Sequence, residues 1–285
     1  MASTKLQKTF SSAGNRKTFT FAVWIKRASV SSQAVILDSN YGGGANEHRL
    51  FIDNDDILEY YDYSSSAYKF RYKTNRKLRD TNGWYHIVCS VDTTQGTAGD
   101  RVKIYINGVQ ETSFSTAQNP SQNLDTSLNT ANLHQIGTKN TGASFFDGSM
   151  SHIHFVDGTA YQASTFGQTD STTGEWSINA SPSVTYGTNG FFILKDGNSV
   201  TDQSPNSNNF TVASGTLTKT EDNPSNVFCT YNKLQQTNGA AGFENGSTYF
   251  TNGTQWLGVN GTIAATSGKY YAEFKVTGGT TSFQA

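Results

Sequence analysis

Hydrophobic and polar residues alternate with period two along most of the first half of the chain, the signature of antiparallel strands with one face in and one face out. The pattern is clearest from Trp84 to Gly108. Tyr85, Ile87, Cys89 and Val91 alternate with Trp84, His86, Val88 and Ser90; after a polar loop, Val102, Ile104 and Ile106 alternate with Arg101, Lys103 and Tyr105. Asn107-Gly108 closes the second strand, because only residues that tolerate φ > 0 fit a two-residue hairpin turn. Upstream, Phe19, Phe21, Val23 and Ile25 alternate with Thr20, Ala22, Trp24 and Lys26, predicting a strand buried on at least one face. Residues 34–38 predict a short buried strand, and Tyr41-Gly42-Gly43-Gly44 a flexible loop after it. Residues 50–52 and 57–61, joined by Asp53-Asn54-Asp55-Asp56, predict a hairpin with an acidic tip. Tyr68, Phe70 and Tyr72 interleave with Lys69, Arg71 and Lys73, predicting a strand with one aromatic and one cationic face.

Residues 114–132 contain Pro120 and little periodicity, so they read as a long surface loop. Residues 133–137 and 145–157 supply two more strands, followed by a short helical turn over 160–166. Beyond Ser177 the composition shifts to Ser, Asn, Thr and Gly around a few hydrophobics. Residues 191–194 and 210–212 are short strand candidates flanking an Asn-rich turn. Whether the segment 177–226 returns to the first domain or forms a linking ribbon is open at this level.

The order of parts around Trp84, aromatic Trp-Tyr-His, an apolar strand, an Asp, a loop, then Ile-Tyr-Ile-Asn-Gly, resembles the middle of laminin-G-like domains of the concanavalin A-like lectin and glucanase superfamily. The run HQIGTKNTGASFFDGSMSHIHFVDG is similar to that family's closing signature. The resemblance implies an all-β fold, an antiparallel two-sheet jelly-roll sandwich over residues 1–176, then a β-containing connector over 177–226. From Ser225, SNVFCTYNKLQQTNGAAGFENGSTYFTNG and then GKYYAEFKV resemble the opening of a SPRY domain. That implies a second β domain over 227–285, incomplete as it stands, continued in a longer polypeptide or completed by another subunit.

Taken whole, this order resembles multidomain virion proteins of tailed bacteriophages of marine bacteria. The resemblance implies a tail fibre or a tail or capsid appendage, assembled in the host cytoplasm. Its partners are then other virion proteins and host surface polysaccharide. Such proteins are commonly trimers, and weak sugar sites gain from being multiplied. The alternative is a capsid decoration or tail adaptor that binds no sugar.

Composition narrows the picture. The 285 residues suffice for about two domains. Only 15% are charged, against roughly 25% in an average soluble protein, and 27 glycines suit many short strands joined by tight turns. A net charge of −1 leaves no basic surface for phosphates, which argues against nucleic acid. The amino terminus lacks the apolar core of a secretion signal, and no run of about 18 apolar residues marks a membrane span. Folding in a cytosol follows as the expectation, with Cys89 and Cys229 unpaired and Cys89 buried. The Asn252-Gly253-Thr254 triplet is then a chance match rather than a glycosylation site.

The chemistry-bearing residues are few. Glucanases that this sandwich resembles use a Glu-x-Asp-x-x-Glu strand, which this chain lacks, so the expectation is a protein that is not an enzyme. Asp53, Asp55 and Asp56 at the hairpin tip could offer alternate carboxylates to Ca²⁺, although Asp and Asn are also simply what turns prefer. Asp202 with Asn206 is a weaker candidate of the same kind. His152 and His154 have a strand spacing that can chelate Zn²⁺, with no third ligand evident. Tyr60, Tyr61 and Tyr63, beside Asp53 and Asp55, offer rings for the apolar face of a sugar and carboxylates for its hydroxyls; the plainer reading turns those rings into the core. Tyr68, Phe70 and Tyr72 read as core.

Overall fold

The alternating segments pair into two antiparallel sheets. The computed structural model describes residues 3–41, 45–195, 199–237, 242–244, 246–251 and 256–278. Gly42 to Gly44 of the expected loop and the Asn252-Gly253-Thr254 triplet lie outside the described residues. In chain order the strands are β1 (Lys5–Thr9), β2 (Thr18–Arg27), β3 (Ala34–Tyr41), β4 (Asn46–Ile52), β5 (Ile57–Ser64), β6 (Ala67–Lys77), β7 (Tyr85–Asp92), β8 (Val102–Ile106), β9 (Val109–Gln110), β10 (Phe114–Gln118), β11 (Leu133–Ile136), β12 (Gly148–Asp157), β13 (Gly167–Thr169), β14 (Trp176–Ile178), β15 (Phe191–Ile193) and β16 (Thr211–Ser214). Eight form one sheet in the order β10-β6-β5-β4-β3-β11-β1-β16, and six form the other in the order β15-β12-β2-β7-β8-β9. The strand pairs within both are antiparallel.

The inward residues of both sheets make one core. Phe19, Phe21, Val23 and Ile25 of β2 and Ile87, Cys89 and Val91 of β7 meet Leu50, Ile52, Leu58, Tyr60 and Phe70 of the facing sheet. Both cysteines are free, Cys89 buried and Cys229 exposed. The Asn107-Gly108 turn joins β8 to β9 with positive φ at both residues, 49° and 79°. Glycine is needed at 108 twice over: a Cβ there would lie 2.4 Å from the Trp176 indole.

The six-stranded sheet is covered on its outer face as well. Ala22, Val88, Tyr105 and Val156 pack under Phe166, Tyr186 and Phe192, with Tyr161 and Trp176 alongside, to make a second core. His86 sits in this layer, 4.7 Å from the Trp24 ring and 6.0 Å from the Trp176 ring, and accepts a 3.0 Å bond from the Trp176 indole N–H. The connector supplies part of the cover and also extends both sheets, since β15 pairs with β12 and β16 with β1. The sandwich therefore continues past Trp176 to Ser214. Asp202 fixes the Asn-rich turn by accepting from the backbone N–H of Phe192, Ser204 and Asn208 at 2.7–2.9 Å. The Asn206 amide nitrogen donates to the carbonyls of Gly187 and Gly190. Both groups hold backbone here, which is an anchoring role.

Two further expectations change. Residues 114–118 form edge strand β10 on β6, where Phe114 meets Tyr72 edge-on at 5.3 Å, so only part of 114–132 is loop. A polar edge strand owes its order to ladder bonds, which leave no hydrophobic period to read. The helical turn is a single 3₁₀ turn at Ala163–Thr165.

After β16 an arm folds against the sandwich, with β17 (Tyr231–Thr237) paired to β20 (Gly258–Gly261) and β18 (Gly242–Glu244) to β19 (Tyr249–Thr251). It is tied down by Lys26, whose ammonium donates to Asp222 at 2.8 Å and to Thr230 at 3.1 Å, both charged side chains 3% exposed. Residues 269–276, the expected first strand of a second domain, do not form a strand.

The buried histidines set an acid limit. Burial pushes His86 down to about 3 and His134 to about 4, and His154 well below its usual value. His134 also accepts from the Asn129 N–H at 3.1 Å, a bond that protonation abolishes. The unfolded chain binds these protons from about pH 6.5 downward while the folded chain does not. Stability should therefore fall between pH 6.5 and 4, by up to about 1.4 kcal/mol per pH unit for each such histidine. Urea midpoints at pH 7 and pH 4.5 check this, and a His134→Gln variant should show a shallower fall than wild type. A flat profile in wild type would refute the assignment.

Candidate functional site

The four-residue tip Asp53 to Asp56 fixes the register of the β4–β5 hairpin, placing Ile52 opposite Leu58 and hence Arg49 opposite Tyr61 and Glu47 opposite Tyr63. The Arg49–Tyr61 and Glu47–Tyr63 pairs point away from the core, while Ile52 and Leu58 face it. With β6 they build an aromatic and charged surface on the outer face of the eight-stranded sheet. Phe51 meets Tyr61 edge-on at 6.0 Å, Tyr61 meets Tyr68 at 5.3 Å, and Tyr63 meets Tyr68 at 5.2 Å. Val35, Phe51 and Tyr61 are buried beneath, while Tyr63 and Tyr68 stay half-exposed.

Charged side chains frame these rings in a closed network. The Arg49 guanidinium donates to Asp38 at 2.7 Å and to the Tyr61 hydroxyl at 2.7 Å, and lies 3.4 Å from Glu47. The Tyr61 hydroxyl in turn donates a hydrogen bond to Glu47 at 2.8 Å. Burial pushes the Tyr61 phenol up, and the Glu47 carboxylate that accepts its hydrogen bond adds to the shift, so it remains a neutral donor. Arg71 donates to Glu59 at 2.7 Å, and its guanidinium carbon lies 4.5 Å from the centre of the Tyr68 ring. Lys73 bridges Asp53 at 3.1 Å and Glu59 at 3.5 Å. Such rigid rings with satisfied, charge-assisted donors and acceptors can stack on an apolar sugar face and exchange bonds with its hydroxyls.

Of the tyrosines expected to act together, Tyr61 and Tyr63 share this face and Tyr60 does not. Adjacent strand residues point to opposite sides. Tyr60 lies in the core, 1% exposed, with its hydroxyl 2.7 Å from His48, whose other nitrogen is 2.9 Å from the buried Asp62. Tyr68 replaces it, contrary to its expected place in the core. Asp62 pairs with Phe70 but Tyr63 with Tyr68, so Lys69 is an extra residue and the bulge reverses the side chains beyond it. Phe70 and Tyr72 do face inward.

The acidic tip divides in the same way. Asp53 caps its own turn, accepting from the N–H of Asp55 at 2.9 Å and Ile57 at 3.0 Å. Asp55 is exposed. Asp56 turns inward at φ 65° and is fully buried, taking bonds from Arg27 at 2.9 Å, the Ser31 N–H at 2.7 Å and Arg79 at 3.0 Å. Burial works to raise its carboxyl pKa, and those donors more than offset it, holding it below the usual carboxylate value. The three carboxylates thus do not converge, and the tip does not fit Ca²⁺. His152 sits at φ 47° in a bulge of β12, and His154 is stacked 3.9 Å from Phe192 and bonded to Tyr186 at 2.9 Å. Among the described residues no group of three or more His, Cys, Asp or Glu side chains could hold a metal ion.

Residues 3–165 match the model of the concanavalin A-like lectin/glucanases superfamily. The chain belongs to that superfamily. No curated protein matches it. Solved structures similar to this lectin-like sandwich include a native heptameric SAP-like pentraxin from Limulus polyphemus, at 16% identity over 56% of this chain and 71% of that one, with a TM-score of 0.39. The mouse laminin α1 chain domains LG4-5 give 8% identity over 67% and 44%, with a TM-score of 0.40. The Ruminococcus gnavus IT-sialidase CBM40 gives 14% over 55% and 94%, with a TM-score of 0.38. This chain thus spans less than half of the laminin fragment.

Arg49, Glu47, Asp38, Tyr68 and Arg71 were not singled out from the sequence as site residues. A hairpin register extended from the tip would have found the first two, because it sets Arg49 and Glu47 across from the tyrosines.

The inward-turned Asp56 has a measurable consequence. Asp56→Asn leaves the Arg27 guanidinium, 2% exposed, without its counter-charge, which should cost about 3–5 kcal/mol in urea unfolding. Asp55→Asn should change stability by less than about 0.5 kcal/mol. Equal effects of the two would place Asp56 at the surface.

Proposed function

We propose that the chain is a non-enzymatic, lectin-like protein that binds surface glycans through the outer face of its eight-stranded sheet. The observation that carries this reading is the half-exposed pair Tyr63 and Tyr68, fixed edge-to-face at 5.2 Å and bordered by Arg49, Glu47 and Arg71. Half-exposed aromatic rings beside donors and acceptors already held in place can take a sugar ring with little ordering of the protein, which favours affinity. The acids on this face are each engaged by a cation or a tyrosine hydroxyl. That arrangement supports binding over acid catalysis, which needs one carboxyl able to give a proton and another able to attack or activate water.

The order of sequence segments, similar to virion proteins of tailed phages, supports a place on a particle surface. There one weak site per copy is multiplied into avidity. Host surface polysaccharide is the corresponding ligand.

A glycan array gives the decisive measurement. Wild-type protein should bind a subset of bacterial surface saccharides saturably, and Tyr68→Ala should weaken that binding about tenfold, or about 1.4 kcal/mol. Tyr72→Phe, which alters a ring on the core side, should leave it unchanged. Absence of saturable binding to any glycan would sink this reading in favour of a purely structural virion role.

A further inference from the structure

A recess lies elsewhere on the molecule, between the sandwich and the arm. Its volume is about 820 Å³, within the range of roughly 300–1,000 Å³ common for ligand sites. One wall is the start of β12 with Leu194 and Lys195. The other is formed by residues 215–223 with Phe243, Glu244, Gly246 and Ser247. Three contacts hold the walls in place. Lys26 and Asp222 form the buried ion pair, Lys233 approaches Asp147 at 3.9 Å, and Gly246 abuts Ser149 so closely that a Cβ would lie 2.7 Å from its hydroxyl. The cleft is therefore part of the folded shape.

Its lining differs from the tyrosine face in one respect. On that face Arg49, Arg71, Lys73 and the four carboxylates around them each take part in an ion pair, whereas among the described residues Lys219, Glu221 and Glu244 line the cleft without one. The indole of Trp84 is also in the wall, and its buried N–H has no acceptor among the described residues. Exposed Thr218 and partly buried Thr220 add hydroxyls, with Phe243 opposite.

The geometry points to a second saccharide site in this cleft, taking an oligosaccharide segment of no net charge. Charges of both signs and several hydroxyls match a ligand that presents many donors and acceptors around apolar ring faces, and Trp84 and Phe243 supply aromatic surface. Peptide docking relies on a free strand edge or a row of apolar pockets. The cleft walls offer side-chain hydroxyls and charges instead. The site rests on different residues from the tyrosine face, and the two readings share only the class of ligand.

Full-length wild type, Thr218→Trp, Trp84→Phe and Tyr68→Ala should be compared on one printed array of neutral and acidic bacterial oligosaccharides. Tryptophan emission is then titrated with the best soluble hit. Thr218→Trp fills the cleft from an exposed position outside any strand, so folding is preserved. It should weaken at least one neutral signal tenfold or more while leaving the signals that depend on Tyr68. Trp84→Phe should remove the ligand-induced change in emission. If Thr218→Trp leaves every signal intact, or an unrelated mixed-sequence peptide competes as well as the sugar, the cleft is not a saccharide site. Loss in Thr218→Trp alone, with Tyr68→Ala inert, would uphold the cleft and overturn the tyrosine face.

Discussion

A strand has two faces, and the two sheets of this sandwich solve that constraint differently. In the six-stranded sheet both faces of β2 and β7 are apolar, so Ala22 and Val88 require a cover as much as Phe21 and Cys89 do. The segment after β12 supplies it, laying Phe166, Trp176 and Tyr186 over the outer face before the chain re-enters both sheets as β15 and β16. Leaving this face open would expose a patch that a monomer does not tolerate well. The connector's wrapped path follows from that need.

The eight-stranded sheet keeps half-exposed Tyr63 and Tyr68 on its outer face, and its chemistry reflects this. Arg49, Arg71 and Lys73 form ion pairs with Asp38, Glu47, Glu59 and Asp53, while Phe51, Tyr61 and Tyr68 lock together between them. Pairs of this kind contribute modestly to stability. Their larger effect is to hold rings and polar groups in one geometry, which a binding surface requires. Beneath the same strands, His48 spans Tyr60 and Asp62 inside the core, and Asp62 also accepts from the Ser127 N–H at 2.6 Å. One stretch of alternating sequence thus builds a buried polar chain on one side and a recognition face on the other.

Much of the candidate site was legible at the level of type and little at the level of partner. Tyr61 and Tyr63 stood out because they follow an acidic turn, and they do lie together. Tyr60 was grouped with them although alternation sends it inward, and Tyr68 was assigned to the core because nothing in the sequence announces the extra residue at Lys69. A bulge leaves composition and period intact on both sides and reverses only the phase. The same limit applies to His152 in β12. Asp56 belonged to the turn by sequence, and only the arrival of Arg27 from the other sheet and of Arg79 makes it an internal counter-ion.

The alternation of residues by itself determined that the chain is built of antiparallel strands, where the central pair lies, and that Asn107-Gly108 closes β8 onto β9, because these depend on neighbours in sequence and on φ preferences that a dipeptide carries with it. Which face of each strand meets solvent beyond a bulge, how the connector closes the second core, and where the arm is pinned by Lys26 and Asp222 were decided by the tertiary structure alone. Those outcomes depend on groups far apart in the chain, Lys26 and Asp222 by 196 residues, and burying a charge or a ring against a distant partner leaves no local pattern to read.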